Sequence, residues 1–203
     1  YGAFFVVATN LLVVLSHQAG YLKANAHLKN TRLAAVSALL ADVYDKQILS
    51  ILYPRLHQLT KNNEVLANRK LSFHSLNWAA LPGKNLTKDF DLPLSPHCHG
   101  YLDQAQLVES DKNGYQLRGW AVDKATTKAA DIVVLATEDH SVVGIAFAGR
   151  PRADVRQHYP NAIDSGWFGH AKVKPGQTIK AYALVNDNRS ICLLRGNFSR
   201  ADE

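Results

Sequence analysis

The chain has 203 residues, 47% of them apolar and 20% charged, a composition that excludes disorder and fits one large domain or two small ones. Its net charge of +6 is placed early: residues 1–96 hold ten Lys/Arg against five Asp/Glu, and 97–203 hold thirteen against twelve. The basic residues are neither clustered nor interleaved with aromatics, so no nucleic-acid partner is expected.

The chain opens on Tyr1 and contains no Met. Its first stretch, 1-YGAFFVVATNLLVVLS-16, carries no charge. A run of this length falls between a buried helix and a bilayer span, which takes about 20 apolar residues. The expectation is therefore a fragment in which 1–22 is the end of a transmembrane helix, with a buried apolar helix as the alternative. The following residues carry Lys23, Lys29 and Arg32 without an acid, a flank that favours the cytoplasmic side of a membrane.

Helical spacing continues through 23–70, read as an amphipathic stalk. Thr31 suits an N-cap, and Leu33, Val36, Leu40 and Val43 fall on one face of a 3.6-residue period. Asp42 and Lys46 are spaced for an i,i+4 pair. Asp45 is placed to cap a separate short helix that Pro54 ends, because proline has no N–H to donate. A weaker apolar stripe through Leu59 and Leu66 follows. Residues 71–100, with Pro82-Gly83, Pro93 and Pro96, read as an irregular linker.

From Tyr101 the pattern changes to short β-rich runs: 101–109, 115–122, 132–137, 142–148, 167–173, 178–185 and 190–195. Asn113-Gly114 and Pro175-Gly176 supply turn chemistry between them. Alternation is clearest where Ile179, Ala181, Ala183 and Val185 share one face. Asp154 and Pro160 bracket one helical turn between the fourth and fifth runs. Seven short strands at this spacing predict an antiparallel, Ig-like β-sandwich over 101–196, followed by a tail over 197–203. With the helices before it, the class is α+β.

The runs 118-RGWAVD-123, 150-RPRADV-155 and 165-SGWFGH-170 resemble a small β-sandwich module found in bacterial cell-envelope proteins beside glycosyltransferase-like parts. Asp103, Gly119, Trp120, Ala121 and Asp123 match its opening, Arg152, Asp154 and Val155 its centre, and Gly166-Trp167 its third element. The N-terminal half, with Leu52-Tyr53-Pro54 and 71-LSFH-74, resembles the tail of a polytopic bacterial membrane protein. These resemblances imply an extracytoplasmic (periplasmic) position at the bacterial inner membrane. The implied partners are an upstream membrane domain of the same protein, membrane lipid, and a glycan or lipid-linked sugar. This location opposes the cytoplasmic preference of the basic flank.

The segment 95-SPHCHG-100 has three readings. His97 and His99 share a side of an extended strand, but a zinc site needs about four ligands and nothing nominates the others. A Cys–His nucleophile would need an orienting third group. With Cys192 the only other cysteine, and an oxidising compartment implied, a Cys98–Cys192 bridge is the favoured reading over two separate thiols. No cofactor and no metal are expected. Trp120 and Trp167 are read first as core residues and second as glycan contacts, with Gln116 and Arg118 beside Trp120 on its strand. Arg150, Arg152 and Arg156 beside Asp154 offer either an internal ion pair or a bidentate grip on a phosphate or carboxylate. The ligand-binding candidates are thus Trp120, Arg118, Trp167, Arg150, Arg152 and Asp154, with no catalytic residue. The functional expectation is a non-catalytic accessory module in envelope glycan handling. Its alternatives are a hydrolase-like domain with a cleft containing His74, His97 or His99, and a plain structural spacer.

Overall fold

The computed structural model describes residues 24–52, 55–87 and 93–202. The apolar run 1–16 and the helix expected over 1–22 lie outside them. Among the described residues, no helix is long and apolar enough to cross a membrane. Helix α1 covers 24–40, followed by α2 (Lys46–Leu52) and α3 (Leu56–Asn68). Two 3-10 turns, Ser72–Ser75 and Asn77–Ala80, lead to the strands. These are β1 (Cys98–Val108), β2 (Asp111–Asp123), β3 (Lys128–Ala129), β4 (Ile132–Thr137) and β5 (Val142–Arg150). After α4 (Ala153–His158) come β6 (Gly166–Lys172), β7 (Thr178–Val185) and β8 (Ser190–Ser199).

Helices followed by strands give the expected α+β class. The sandwich is corrected. Strands β1-β8-β7-β4-β5-β6-β2 form one sheet, and a further β1–β2 pairing closes it into a seven-strand barrel. The long β2 makes this closure, pairing along one edge with β6 through Gly114–Trp120 and along the other with β1 from Cys98 to Val108. The short β3 extends the first edge at Val122 and Asp123. Alternation put the right residues inward but could not distinguish two facing layers from one layer curled on itself, because both bury one face of each strand. The tail assignment is also corrected, since β8 runs on to Ser199 and pairs with β7 as far as Thr178.

Seven is an odd number, so a closed ring cannot be antiparallel throughout. The exception is β1–β8, which run parallel and share a single registered pair, Tyr101 with Arg195. The Cys98–Cys192 disulfide crosses this same seam, with the two Cα atoms 6.0 Å apart. Leu102, Leu117, Val133, Leu135, Trp167, Ile179 and Leu194 fill the barrel interior. Gly119 stands against the Trp167 ring, leaving that space to the indole.

Strand β4 is buried along its whole length, on both faces, because α1 lies across its outer side. Leu33, Val36 and Leu40 of α1 pack with Val134, Ile145, Phe147 and Tyr182, and Trp78, Leu81 and Leu86 complete that layer. The opposite face of α1, through Ala35 and Ala38, meets Leu49 of α2 and Leu56 and Leu59 of α3.

Polar contacts lock helix to sheet beneath this layer. Ser37 Oγ donates to the Ile145 carbonyl at 2.5 Å and accepts from the His170 N–H at 2.7 Å. Asp45 caps α2 through the Ile48 N–H at 3.2 Å. Its other oxygen meets His170 Nε2 at 3.0 Å and Gln116 Nε2 at 2.6 Å.

Candidate functional site

Outside the barrel, side chains of β1, β2 and α4 meet over an open cleft of about 410 Å3, lined by His99, Trp120, Asp154, Val155, His158 and Tyr159. Alternation along β2 creates its floor: Leu117, Gly119 and Ala121 point inward, which turns Arg118 and Trp120 out. Trp120 is half-buried. Its neighbour across the β1–β2 ladder, one step on, is His99, whose ring stands edge-on at 4.9 Å and 72°. Helix α4 supplies the wall. Val155 packs on Val122 and Ala162, with Tyr159 beside them, and the Tyr159 hydroxyl lies 3.1 Å from His99 Nδ1.

An ion network holds the α4 end in place. Arg152 binds Asp154 with two parallel bonds, Nε to Oδ1 at 2.9 Å and Nη2 to Oδ2 at 2.7 Å, and reaches Asp103 of β1 with Nη1 at 2.5 Å. The same guanidinium sits 5.9 Å from the centre of the Trp120 ring. The hydrogen bonds from Arg152 bring the Asp154 carboxyl down to about 2, so it stays ionised at neutral pH. Burial pulls the His99 imidazole below its ordinary value, helped by the charges of Lys124, Arg195 and His158. A neutral imidazole presents one donor and one acceptor, which suits hydroxyl recognition.

The candidates read from sequence fall into three places. Trp120, Arg152 and Asp154 share the cleft. Arg118 and Arg150 lie on the adjoining face, at either side of Phe168. Trp167 is elsewhere, 1% exposed inside the barrel, where it offers a ligand nothing. Among the residues quoted for the resemblance, Arg152 bonds both Asp103 and Asp154, Gly119 stands against Trp167, and Val155 packs with Trp120.

Of the 95–100 segment, Cys98 turns inward to the disulfide and His99 outward to the cleft. His97 lines a different hollow beside Asp123 and Ser190. His74 bonds Asn63 on α3 at 2.9 Å and lines neither. No group of three or more His, Cys, Asp or Glu able to hold a metal occurs among the described residues.

The sequence does not bring His99 and Tyr159 to Trp120. In the sequence His99 reads only as a metal ligand or a base, and Tyr159 only as part of a helical turn. The one available signal was alternation, which puts His99 on the face of β1 opposite Cys98. Tyr159, 60 residues away, gave none. No protein-family model, curated protein or solved structure matches the chain.

Proposed function

We propose that this chain is a non-catalytic, extracytoplasmic accessory module of a bacterial cell-envelope membrane protein, and that it holds a glycan in the His99–Trp120–Tyr159 cleft. One observation carries the reading: a half-buried indole is held open to solvent between a neutral imidazole and a phenol, beside a carboxylate fixed by arginine. Sugar rings offer apolar C–H faces ringed by hydroxyls, and such a cleft matches both with an aromatic surface and placed hydrogen-bonding groups.

Both oxygens of Asp154 are held by Arg152, which suits a fixed acceptor. A carboxyl near 2 has surrendered its proton and cannot act as a general acid at neutral pH. The disulfide favours an oxidising compartment, in keeping with the periplasmic position implied by the resemblance. The upstream membrane domain, membrane lipid and lipid-linked sugar remain the partners of this reading.

A glycan microarray followed by calorimetric titration of the best binder tests it. The full chain is expected to bind envelope-type oligosaccharides, and Trp120→Ala to weaken binding by about tenfold or more, corresponding to about 1.4 kcal/mol. Absence of binding to every glycan, or binding indifferent to Trp120, refutes the recognition role. Turnover of a chromogenic glycoside lost with His99→Ala would replace it with the hydrolase alternative.

A further inference from the structure

Beyond the aromatic cleft, the outer face of β5, β6 and β2 carries two guanidinium groups that no described residue neutralises. Arg118 and Arg150 stand 5.5 Å and 4.2 Å from the centre of the Phe168 ring. Both are half-buried. Among the described residues neither forms an ion pair or a hydrogen bond. Among the described residues, Arg152 is paired with Asp103 and Asp154, Lys172 with Asp42, and Lys180 with Glu138.

The nearby acids do not answer the charge. Asp45 is committed to His170 and Gln116. Glu109 lines the same hollow as Arg118 without an ion pair to it. Asp164 accepts at its backbone carbonyl from Gly149 and makes no ion pair with Arg150. Contact with a phenyl ring attracts a cation, but it leaves the net charge in place. Two like charges kept partly out of water therefore raise the free energy of the empty site, and an anion shared between them lowers it.

The backbone is bent to create this arrangement. On β5, Ile145 and Phe147 belong to the outer layer, while Ala146 and Ala148 pack with the interior. Strict alternation would send Arg150 inward. A register shift between Ala148 and Arg150, with Gly149 at φ 137°, restarts the alternation and brings Arg150 out. The Asn30 side chain secures the bulge by donating to the Gly149 carbonyl at 2.9 Å. Opposite Arg150 on β6 is Gly166, and a Cβ there would stand 3.1 Å from both Arg150 Cβ and Arg152 Cγ. The missing side chain gives Arg150 room to lean across to Phe168. On the other flank Arg118 is the direct cross-strand neighbour of Phe168.

From this geometry we propose that Arg118 and Arg150, on the platform of Phe168, form a binding site for a phosphate-type oxyanion. Guanidinium forks from two strands supply paired N–H donors to separate oxygens of one tetrahedral group. The phosphoryl group has two natural sources, a free phosphate or phosphomonoester and the headgroup of an anionic lipid. The site does not depend on the glycan cleft.

The test titrates the full chain with inorganic phosphate while following the Arg118 and Arg150 side-chain Nε–H resonances. A second arm measures co-sedimentation with phosphatidylglycerol vesicles against phosphatidylcholine vesicles. Binding is expected to shift both resonances, and Arg150→Gln and Arg118→Gln are each expected to weaken it about tenfold. Arg150→Lys retains charge without the fork and is expected to recover only part of the affinity. Trp120→Ala is expected to leave this binding unchanged, which separates the two sites. Association with phosphatidylglycerol vesicles alone, lost in Arg150→Gln, assigns the site to a lipid headgroup. Silence of both resonances with no vesicle preference overturns the proposal, as does phosphate binding that survives both Gln variants. The wild-type resonances decide even if a variant fails to fold.

Discussion

At the residue scale, Gly119 explains why a Gly-Trp pair sits in the middle of a strand. Its inward face is the seat of the Trp167 ring, and its backbone approaches the Tyr101 carbonyl across the β1–β2 ladder. A Cβ at this position collides with both. Gly119→Ala is therefore expected to cost about 2–3 kcal/mol, the upper range for overpacking a filled core, measurable as a lower urea midpoint at unchanged slope. The change also moves Trp120, whose backbone is the next in line, so the glycan binding proposed for the cleft should weaken along with stability. The proximity of Gly119 to Trp167 was not legible in the sequence. Trp120 and Trp167 looked equivalent there, each flanked by a glycine, and only strand register sends one indole outward and the other in.

Among the elements, the decisive contact is the short turn between α1 and α2. Asp45 begins α2 by capping it, as its place ahead of an apolar run suggested. The same carboxylate also closes the helical layer onto β2 and β6. No pattern in the sequence joined Asp45 to His170, which is 125 residues away. Burial by itself would raise the Asp45 carboxyl. The opposing hydrogen bonds from His170, Gln116 and the Ile48 N–H win, and it lies below its ordinary 3.8. A carboxyl depressed on folding contributes stability that is complete above its unfolded value, about 4, and is lost as pH falls through the folded value. Unfolding free energy should thus drop below about pH 4 in the wild type. Asp45→Asn should remove that part of the acid slope and cost about 1.5–3 kcal/mol at neutral pH, the range for hydrogen bonds to a charged group. Denaturant titrations across pH 2–7 on both proteins, at about one-unit steps, check the prediction.

For the whole molecule, closure is the governing fact. Strand positions, turns and the inward-facing residues were readable from alternation and turn chemistry. The ring was not, because the β1–β8 contact joins the two ends of the β region and depends on how far the sheet curls. The expected pairing of Cys98 with Cys192 was the single sequence clue that these ends meet. Removing it, as in the double change Cys98→Ser and Cys192→Ser, frees an unfolded-state loop spanning a separation of 94 residues. By chain entropy this should cost about 4–5 kcal/mol, read as a lower unfolding midpoint in wild type under thiol reductant and, equally, in the double variant. The seam carries a second consequence. A closed barrel presents no unpaired strand edge to another copy, and here the closure between β1 and β8 relies on the Tyr101–Arg195 pair, a Leu94–Ile191 bridge just ahead of β1 and one covalent bond. Without the bond, β1 and β8 become two complementary margins of the same sheet. Each is then a template for its counterpart in a second molecule, so the sulfur link that holds one chain together also keeps separate chains from joining.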